Sequence, residues 1–179
     1  TSTYRMLNVL RRGLQSPVHV LIPPGSRPEI VAAFVCRVLA CSPDSLLSAL
    51  RDSALAAELG TDTLHLFGRL LPDTYYFFWL TAPRDVVRRV HAAFLDFFTP
   101  ERRALADSLG LTIDEVVTLA SIVEWEASPK ERRRVAGVYL NRLRRGMPLQ
   151  ADPTVQYVIL QQEGQKRRLL FSDYRIDHP

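Results

Sequence analysis

A glutamate within an apolar helical stripe is the position in this sequence that could carry chemistry. Thr112 and Glu115 have the spacing of a capping box, which predicts a helix that begins there. Successive side chains of a helix point about 100° apart, so one broad side of this helix is apolar. That side carries Ile113, Val116, Val117, Leu119, Ala120, Val123 and Ala127. Glu124 falls inside the same stripe, where an ionised and unpaired carboxylate is costly.

Two roles are open to Glu124. Its carboxylate can form an ion pair with an arginine, and Arg132–Arg134 and Arg142 are the candidate partners. Alternatively, Glu124 lines a cleft where desolvation raises its pKa, and it then donates a proton at neutral pH as a general acid. Periodicity alone favours the ion pair without excluding the acid.

A second group of polar side chains follows a predicted turn at Gly146. Gln150, Asp152 and Thr154 lie where two predicted helices are joined. Asp152 is predicted to be the N-cap of the second helix, with Pro153 at its first position. Asn141, on the preceding helix, can face the same space. This group has no spacing that specifies one ligand.

The pattern of apolar residues along the chain predicts an α+β fold, with a small α/β region before a mainly helical one. Alternating apolar residues at 18, 20 and 22 predict a short strand, which the Pro23–Ser26 turn terminates. The aromatic segment 64–80 predicts extended chain with up to two strands. We place a domain boundary between residues 82 and 83. The predicted helices span residues 27–39, 43–59, 85–98, 100–109, 112–127, 129–145 and 153–162.

Composition excludes a largely disordered chain, because 47% of the 179 residues are hydrophobic and 23% are charged. The net charge of +4 comes mostly from arginine and allows an anionic partner, although an ordinary surface has a similar charge. Cys36 and Cys41 lie in one predicted helical stretch that turns their side chains apart, so we expect no disulfide. Their spacing does not fit a zinc site, and we expect neither a metal nor a cofactor.

Three sequence blocks together resemble a known family. They are LASIVEWE at 119–126, VAGVYLNRL at 135–143 and MPLQADPTV at 147–155. In order and spacing they closely resemble the MltG-type (YceG-like) endolytic murein transglycosylases. Upstream, IPPGS at 22–26 resembles the family's "IPEG" turn, and LLPDTY at 70–75 resembles its "FPDTY" segment. The resemblance runs from about residue 17 to the end.

The resemblance implies a LysM-like subdomain with a connecting extended segment over residues 1–82 and a catalytic domain over 83–179. It implies cleavage of the MurNAc–GlcNAc bond within peptidoglycan strands, which leaves 1,6-anhydroMurNAc ends. By position in the motifs, Glu124 matches the catalytic glutamate. The other matching positions, which we expect to contact substrate, are Glu126, Asn141, Gln150, Asp152 and Thr154.

The resemblance also implies a cellular setting. The expected partners are peptidoglycan strands and cell-wall synthases. The expected location is the extracytoplasmic face of the bacterial inner membrane. There the family is anchored by a single N-terminal helix, which is absent from this sequence. The family continues beyond Pro179 into a segment that completes the cleft, so the catalytic domain is expected to be incomplete here.

The sequence departs from the family pattern at three positions. Trp125 replaces the usual lysine between the two glutamates, Ala127 replaces a threonine, and Phe67 stands where a glutamate is usual. These departures affect expected substrate contacts rather than the acid.

Three other functions remain alternatives. The chain could be a non-catalytic peptidoglycan-binding or scaffold module. It could be a two-carboxylate hydrolase that uses Glu124 and Asp152. A nucleic-acid binder would use the basic runs 132–134 and 142–145, but these arginines point around a helix in different directions and Glu131 directly adjoins the first run. We therefore expect no nucleic-acid partner.

Overall fold

The computed structural model describes residues 2–176, which form two compact units that divide between Leu105 and Ala106. The described chain is mostly helical with one two-stranded sheet, which confirms the predicted α+β class. The LysM-like character of the first part and the boundary at 82/83 stay predictions. Each helix of the described chain is too short or too polar to cross a bilayer.

The first unit is built on an antiparallel strand pair. Strands β1 (Val18–Ile22) and β2 (Asp73–Phe77) pair with Val18 opposite Phe77 and Ile22 opposite Asp73. Because strand side chains alternate, one face of the pair is buried and carries Val20, Ile22, Tyr75 and Phe77. Helix α2 (Pro28–Val38) packs on β1, and α3 (Pro43–Leu50) packs on α2. The predicted strand at 18–22 is thus confirmed.

The remaining elements of the first unit are helical. Helix α1 spans Thr3–Arg12, α4 spans Ser53–Glu58, α5 spans Pro83–Phe97, and a 3-10 turn spans Phe67–Arg69. Helix α5 buries Val86, Val87, Val90 and Phe94, and it packs on α3. Helix α6 (Pro100–Leu109) has the predicted bounds, and the division between the two units falls within this helix.

One predicted helix of this unit is wrong in detail. The helix predicted over 43–59 is two helices, because Asp52 caps α4 by accepting the N–H groups of Ala54 and Leu55 at 2.9 and 3.1 Å. The segment 64–80 contains one strand, β2, which lies within the predicted limit of up to two strands. Helix α1 has no counterpart among the predicted elements.

The cysteine prediction is also wrong. Cys36 and Cys41 form a disulfide with a Cα–Cα distance of 5.1 Å. Helix α2 ends at Val38 and Leu39 is extended, so Cys41 lies outside the helix and the chain turns back toward Cys36. A continuous helix through both cysteines would have kept their side chains apart.

The second unit is a small helical assembly. Helix α7 (Ile113–Glu126) packs against α8 (Arg132–Arg144) and α9 (Asp152–Glu163). Val123, Tyr139 and Ala151 form its buried centre, with Leu149 among the residues packed around them. The predicted capping box is present: the Glu115 N–H donates to Thr112 Oγ1, and the Thr112 N–H donates to the Glu115 carboxylate. A 3-10 turn at Asp173–Arg175 follows α9.

Candidate active site

Glu124 lies in the last turn of α7, directly after the buried Val123. Its side chain is 34% exposed, and its Oε1 atom lies 3.8 Å from Nη2 of Arg132. Arg132 is the first residue of α8, so the short connection after α7 brings the two charges together. The ion-pair partner is therefore one of the predicted arginines. The carboxylate nevertheless remains accessible, so the ion pair and a chemical role are compatible.

The negative charges of Glu126 and Asp152 raise the pKa values of the same two tyrosines, Tyr139 and Tyr174. The Tyr174 hydroxyl donates to Asp152 Oδ1 at 2.7 Å. This hydrogen bond raises the pKa of Tyr174, and the negative charges of Asp152 and Glu126 add to the effect. Burial raises the pKa of Tyr139, again with contributions from Glu126 and Asp152. The two carboxylates thus belong to one electrostatic group.

The predicted capping role of Asp152 is wrong. Helix α9 begins at Asp152 itself, and Ala151 occupies the N-cap position. The Asp152 carboxylate accepts a hydrogen bond from the Tyr174 hydroxyl, and the Thr154 hydroxyl donates to the Ala151 carbonyl at 2.7 Å. The carboxylate therefore faces the group that contains Tyr174.

Arg142 holds the loop that carries Gln150. Its Nη1 group donates to the Leu149 carbonyl at 2.5 Å, to Gln150 Oε1 at 3.2 Å and to the Pro148 carbonyl at 3.3 Å. Gln150 has a φ of +51°, and it is the one non-glycine residue with positive φ in the described chain. Such backbone is disfavoured for residues with a side chain and persists where surrounding contacts impose it. The loop is therefore held in one conformation.

The segment after α9 is tied back to that helix. Arg167 bridges the two carboxylates of Glu163 and Asp173, with its closest contact 2.6 Å from Asp173 Oδ2. Hydrogen bonds from Arg167 and from the Leu170 N–H lower the pKa of Asp173, which is only 6% exposed. Gln156 donates to the Arg167 carbonyl at 2.5 Å. These bonds fix the segment from which Tyr174 reaches Asp152.

The sequence-predicted residues therefore fall into contacts of three kinds. Glu124 pairs with Arg132, Glu126 and Asp152 share the two tyrosines, and Gln150 is held by Arg142. Asn141 is exposed on α8 beside Arg142, and Thr154 is exposed on α9. Among the described residues, no group of three or more potential metal-binding side chains comes together.

A family model described as "YceG-like family" matches residues 1–179 of this sequence. The chain belongs to the YceG-like family. A crystal structure of a yceG-like protein from Listeria monocytogenes covers the whole chain with a TM-score of 0.76 at 21% identity, and the chain covers 64% of that structure. This likeness shows that the fold is shared.

Two curated relatives carry a function in their names. A protein of Bacillus subtilis is 41% identical over 70 residues, which is 38% of this chain and 19% of the relative. A protein of Streptococcus pneumoniae serotype 2 is 37% identical over 93 residues, which is 51% of this chain and 17% of the relative. Both are named endolytic murein transglycosylase. The matched segments span less than a fifth of either relative.

Sequence reasoning on this YceG-like chain missed Tyr139 and Tyr174 as members of the site. Tyr139 lies inside the second quoted block, but its burial among α7, α8 and the loop at 149–151 is a tertiary property. Tyr174 lies in a segment with no periodic signal, and its contact with Asp152 spans 22 positions. Helix and strand periodicity describe only residues close together in the sequence, so they cannot predict this contact between Tyr174 and Asp152.

Proposed function

We propose that this chain supplies the catalytic glutamate of an endolytic murein transglycosylase. The reaction would cleave the MurNAc–GlcNAc bond within peptidoglycan strands and leave 1,6-anhydroMurNAc ends. Family membership and the names of the relatives support the substrate class. The observation that carries the catalytic assignment is Glu124 itself, a carboxylate that is one-third exposed and restrained by Arg132.

One carboxylate is sufficient for this reaction. Glu124 protonates the glycosidic oxygen as the bond to C1 of the muramic acid breaks, and the GlcNAc fragment leaves with that proton. The resulting carboxylate then accepts the proton of the muramic acid 6-hydroxyl, whose oxygen closes on C1. Glu124 ends in its starting state, and no water is consumed. A two-carboxylate hydrolase instead needs a second group for water or for a covalent intermediate.

The neighbouring groups have supporting roles in this proposal. Arg132 limits the positions that the Glu124 carboxylate can take, which favours a productive orientation. Gln150 and Asp152 present side-chain oxygens from segments that Arg142 and Tyr174 hold in place. These fixed oxygens can accept hydrogen bonds from the hydroxyl and N-acetyl N–H groups of a glycan.

We also propose that the protein works on the extracytoplasmic side of the membrane. The disulfide between Cys36 and Cys41 supports this location, because disulfides persist in oxidising compartments and are rare in the cytosol. Association with cell-wall synthases and anchoring by an N-terminal helix remain predictions of the family resemblance.

Product analysis tests the function directly. The native protein that contains this chain is incubated with purified glycan strands, and the new ends are identified by mass spectrometry. The proposal expects 1,6-anhydro ends. New reducing ends would indicate a hydrolase and contradict it, and glycan binding without new ends would indicate a scaffold module and contradict it as well.

A further inference from the structure

An exposed tryptophan and a lysine meet beside the candidate active site. Trp125 lies between Glu124 and Glu126 in α7, and its side chain is 56% exposed. The ammonium group of Lys166 lies 3.5 Å from the centroid of the Trp125 ring. This distance is well within the range of a cation–π interaction.

The local backbone explains how Lys166 reaches this position. Helix α9 ends at Glu163, and the next residue, Gly164, has a φ of +75°. Left-handed backbone at a helix C-terminus is readily adopted by glycine and turns the chain out of the helical path. Lys166 follows two residues later, and Arg167 is fixed by Glu163 and Asp173. The lysine therefore extends from a segment that is held on both sides.

The pair combines two recognition elements. A large indole surface remains open to solvent although a cation lies against it. The C–H face of a pyranose ring can pack on such a surface, since aromatic rings offer a large apolar area with little conformational freedom to lose. A lysine ammonium is a compact point charge that binds carboxylates.

The positive charge of Lys166 lies in a region that also contains negative side chains. Glu124 and Glu126 flank Trp125 and would repel an anionic ligand. Lys130 and Lys166 are the two lysines of the whole sequence, so an ammonium on this ring is not a consequence of a lysine-rich surface. The Lys166 ammonium group offsets this repulsion beside the part of the indole surface that remains open for a sugar.

We propose that Trp125 and Lys166 form a subsite for a saccharide residue that bears a carboxylate, with the ring on Trp125 and the carboxylate on Lys166. This inference rests on the proposed function, in which the substrate contains muramic acid residues. The carboxylate can belong to the lactyl group of a muramic acid without its peptide, or to the peptide of a substituted one. A neutral N-acetylglucosamine oligomer would use the stacking surface alone.

Binding measurements on the native protein test the subsite without requiring turnover. Three ligands are compared by calorimetry: glycan strands without peptides, strands with peptides, and a neutral chitooligosaccharide. Lys166→Gln should weaken binding of at least one carboxylated ligand about tenfold and leave the neutral ligand unchanged. Which carboxylated ligand responds identifies the source of the carboxylate. Trp125→Ala should weaken all of the ligands that bind.

Two controls make the result decisive. Lys130→Gln removes the other lysine and should change no affinity, and Lys166→Arg should retain most of the carboxylate preference. If Lys166→Gln lowers the melting temperature but binds every ligand like the parent, the contact is structural and the subsite is wrong. Product analysis is independent of these affinities, so failure of the subsite and failure of the proposed reaction remain distinguishable.

Discussion

Oε1 of Glu124 and Nη2 of Arg132 lie 3.8 Å apart, with 34% and 43% of the two side chains exposed. This distance is longer than a hydrogen bond and permits an ion pair that solvent screens. Such partly exposed pairs contribute only about 0–1 kcal/mol to the free energy of unfolding. The pair therefore orients Glu124 without committing its carboxylate, which can exchange the arginine for a substrate oxygen.

The backbone of Gln150 predicts an unusual order of stability. At a φ of +51° an alanine keeps the backbone strain, whereas a glycine does not. Both substitutions lose the bond from Arg142. Gln150→Gly should therefore be more stable than Gln150→Ala by up to about 1 kcal/mol in urea unfolding, the reverse of the usual order. If the alanine variant is the more stable one, the loop is not held as described.

The contact between Tyr174 and Asp152 predicts a shifted titration. The pKa of Tyr174 lies above its ordinary value because the hydroxyl donates to Asp152. Asp152→Asn should lower this pKa, as followed by NMR of ¹³C-labelled tyrosine. Tyr174→Phe identifies the resonance. An unchanged titration in Asp152→Asn would exclude the carboxylate as the cause.

The same shift has a consequence for stability. A tyrosine whose folded pKa is raised stabilises the fold while it is protonated, below its ordinary value of about 10. This contribution is lost as the pH rises through the folded pKa. As the pH rises above about 10, the melting temperature should therefore fall more steeply for the parent protein than for Tyr174→Phe.

The contribution of Asp173 to stability should depend on pH in the opposite direction. Arg167 lowers the pKa of its carboxyl, so the native state binds this proton more weakly than the unfolded state. The stabilisation is present above the ordinary Asp value of about 4 and is lost as the pH falls through the folded pKa. At residues 167–174 the protection against hydrogen exchange, expressed relative to the intrinsic exchange rate at each pH, should fall on acidification of the parent protein. Asp173→Asn should show low protection at neutral and at acidic pH, and equal protection in the two proteins at neutral pH would be inconsistent with this role.

The disulfide predicts a measurable loss on reduction. The bond closes a short loop between Cys36 and Cys41, and the chain-entropy model assigns about 2 kcal/mol to a loop of this size. The Cys36→Ser, Cys41→Ser double variant should unfold at correspondingly lower denaturant concentration. Reductant should destabilise the parent protein and leave the variant unaffected. A parent protein that does not respond to reductant would show that the disulfide does not contribute.

Local sequence signals were sufficient for the features that repeat within one element. Alternation at Val18, Val20 and Ile22 predicted strand β1, and the T-x-x-E spacing at Thr112 and Glu115 predicted the start of α7. Helical periodicity placed Val123 on the apolar side of α7, and this side chain is buried. These features depend on side-chain direction within one helix or strand, which the sequence determines directly.

Local sequence patterns did not predict the features that depend on where the chain turns. The disulfide exists because α2 ends before Cys41, and helix ends are the least certain part of a periodic pattern. The side chain of Asp152 faces Tyr174 because a distant segment returns to α9. Lys166 meets Trp125 for a similar reason. Such contacts result from tertiary packing, which overrides the local preference of Asp152 for a capping role.

In the proposed reaction the Glu124 carboxylate carries the proton in glycan cleavage. The measurement that tests this role is mass-spectrometric detection of 1,6-anhydro ends produced by the native protein and by Glu124→Gln, with a thermal melt of both. Because the ion pair with Arg132 is partly exposed, the variant should keep its fold and melt close to the parent. We expect anhydro ends to disappear in this folded variant, since no other group is proposed to protonate the glycosidic oxygen. Anhydro ends formed at an undiminished rate would contradict this role of Glu124.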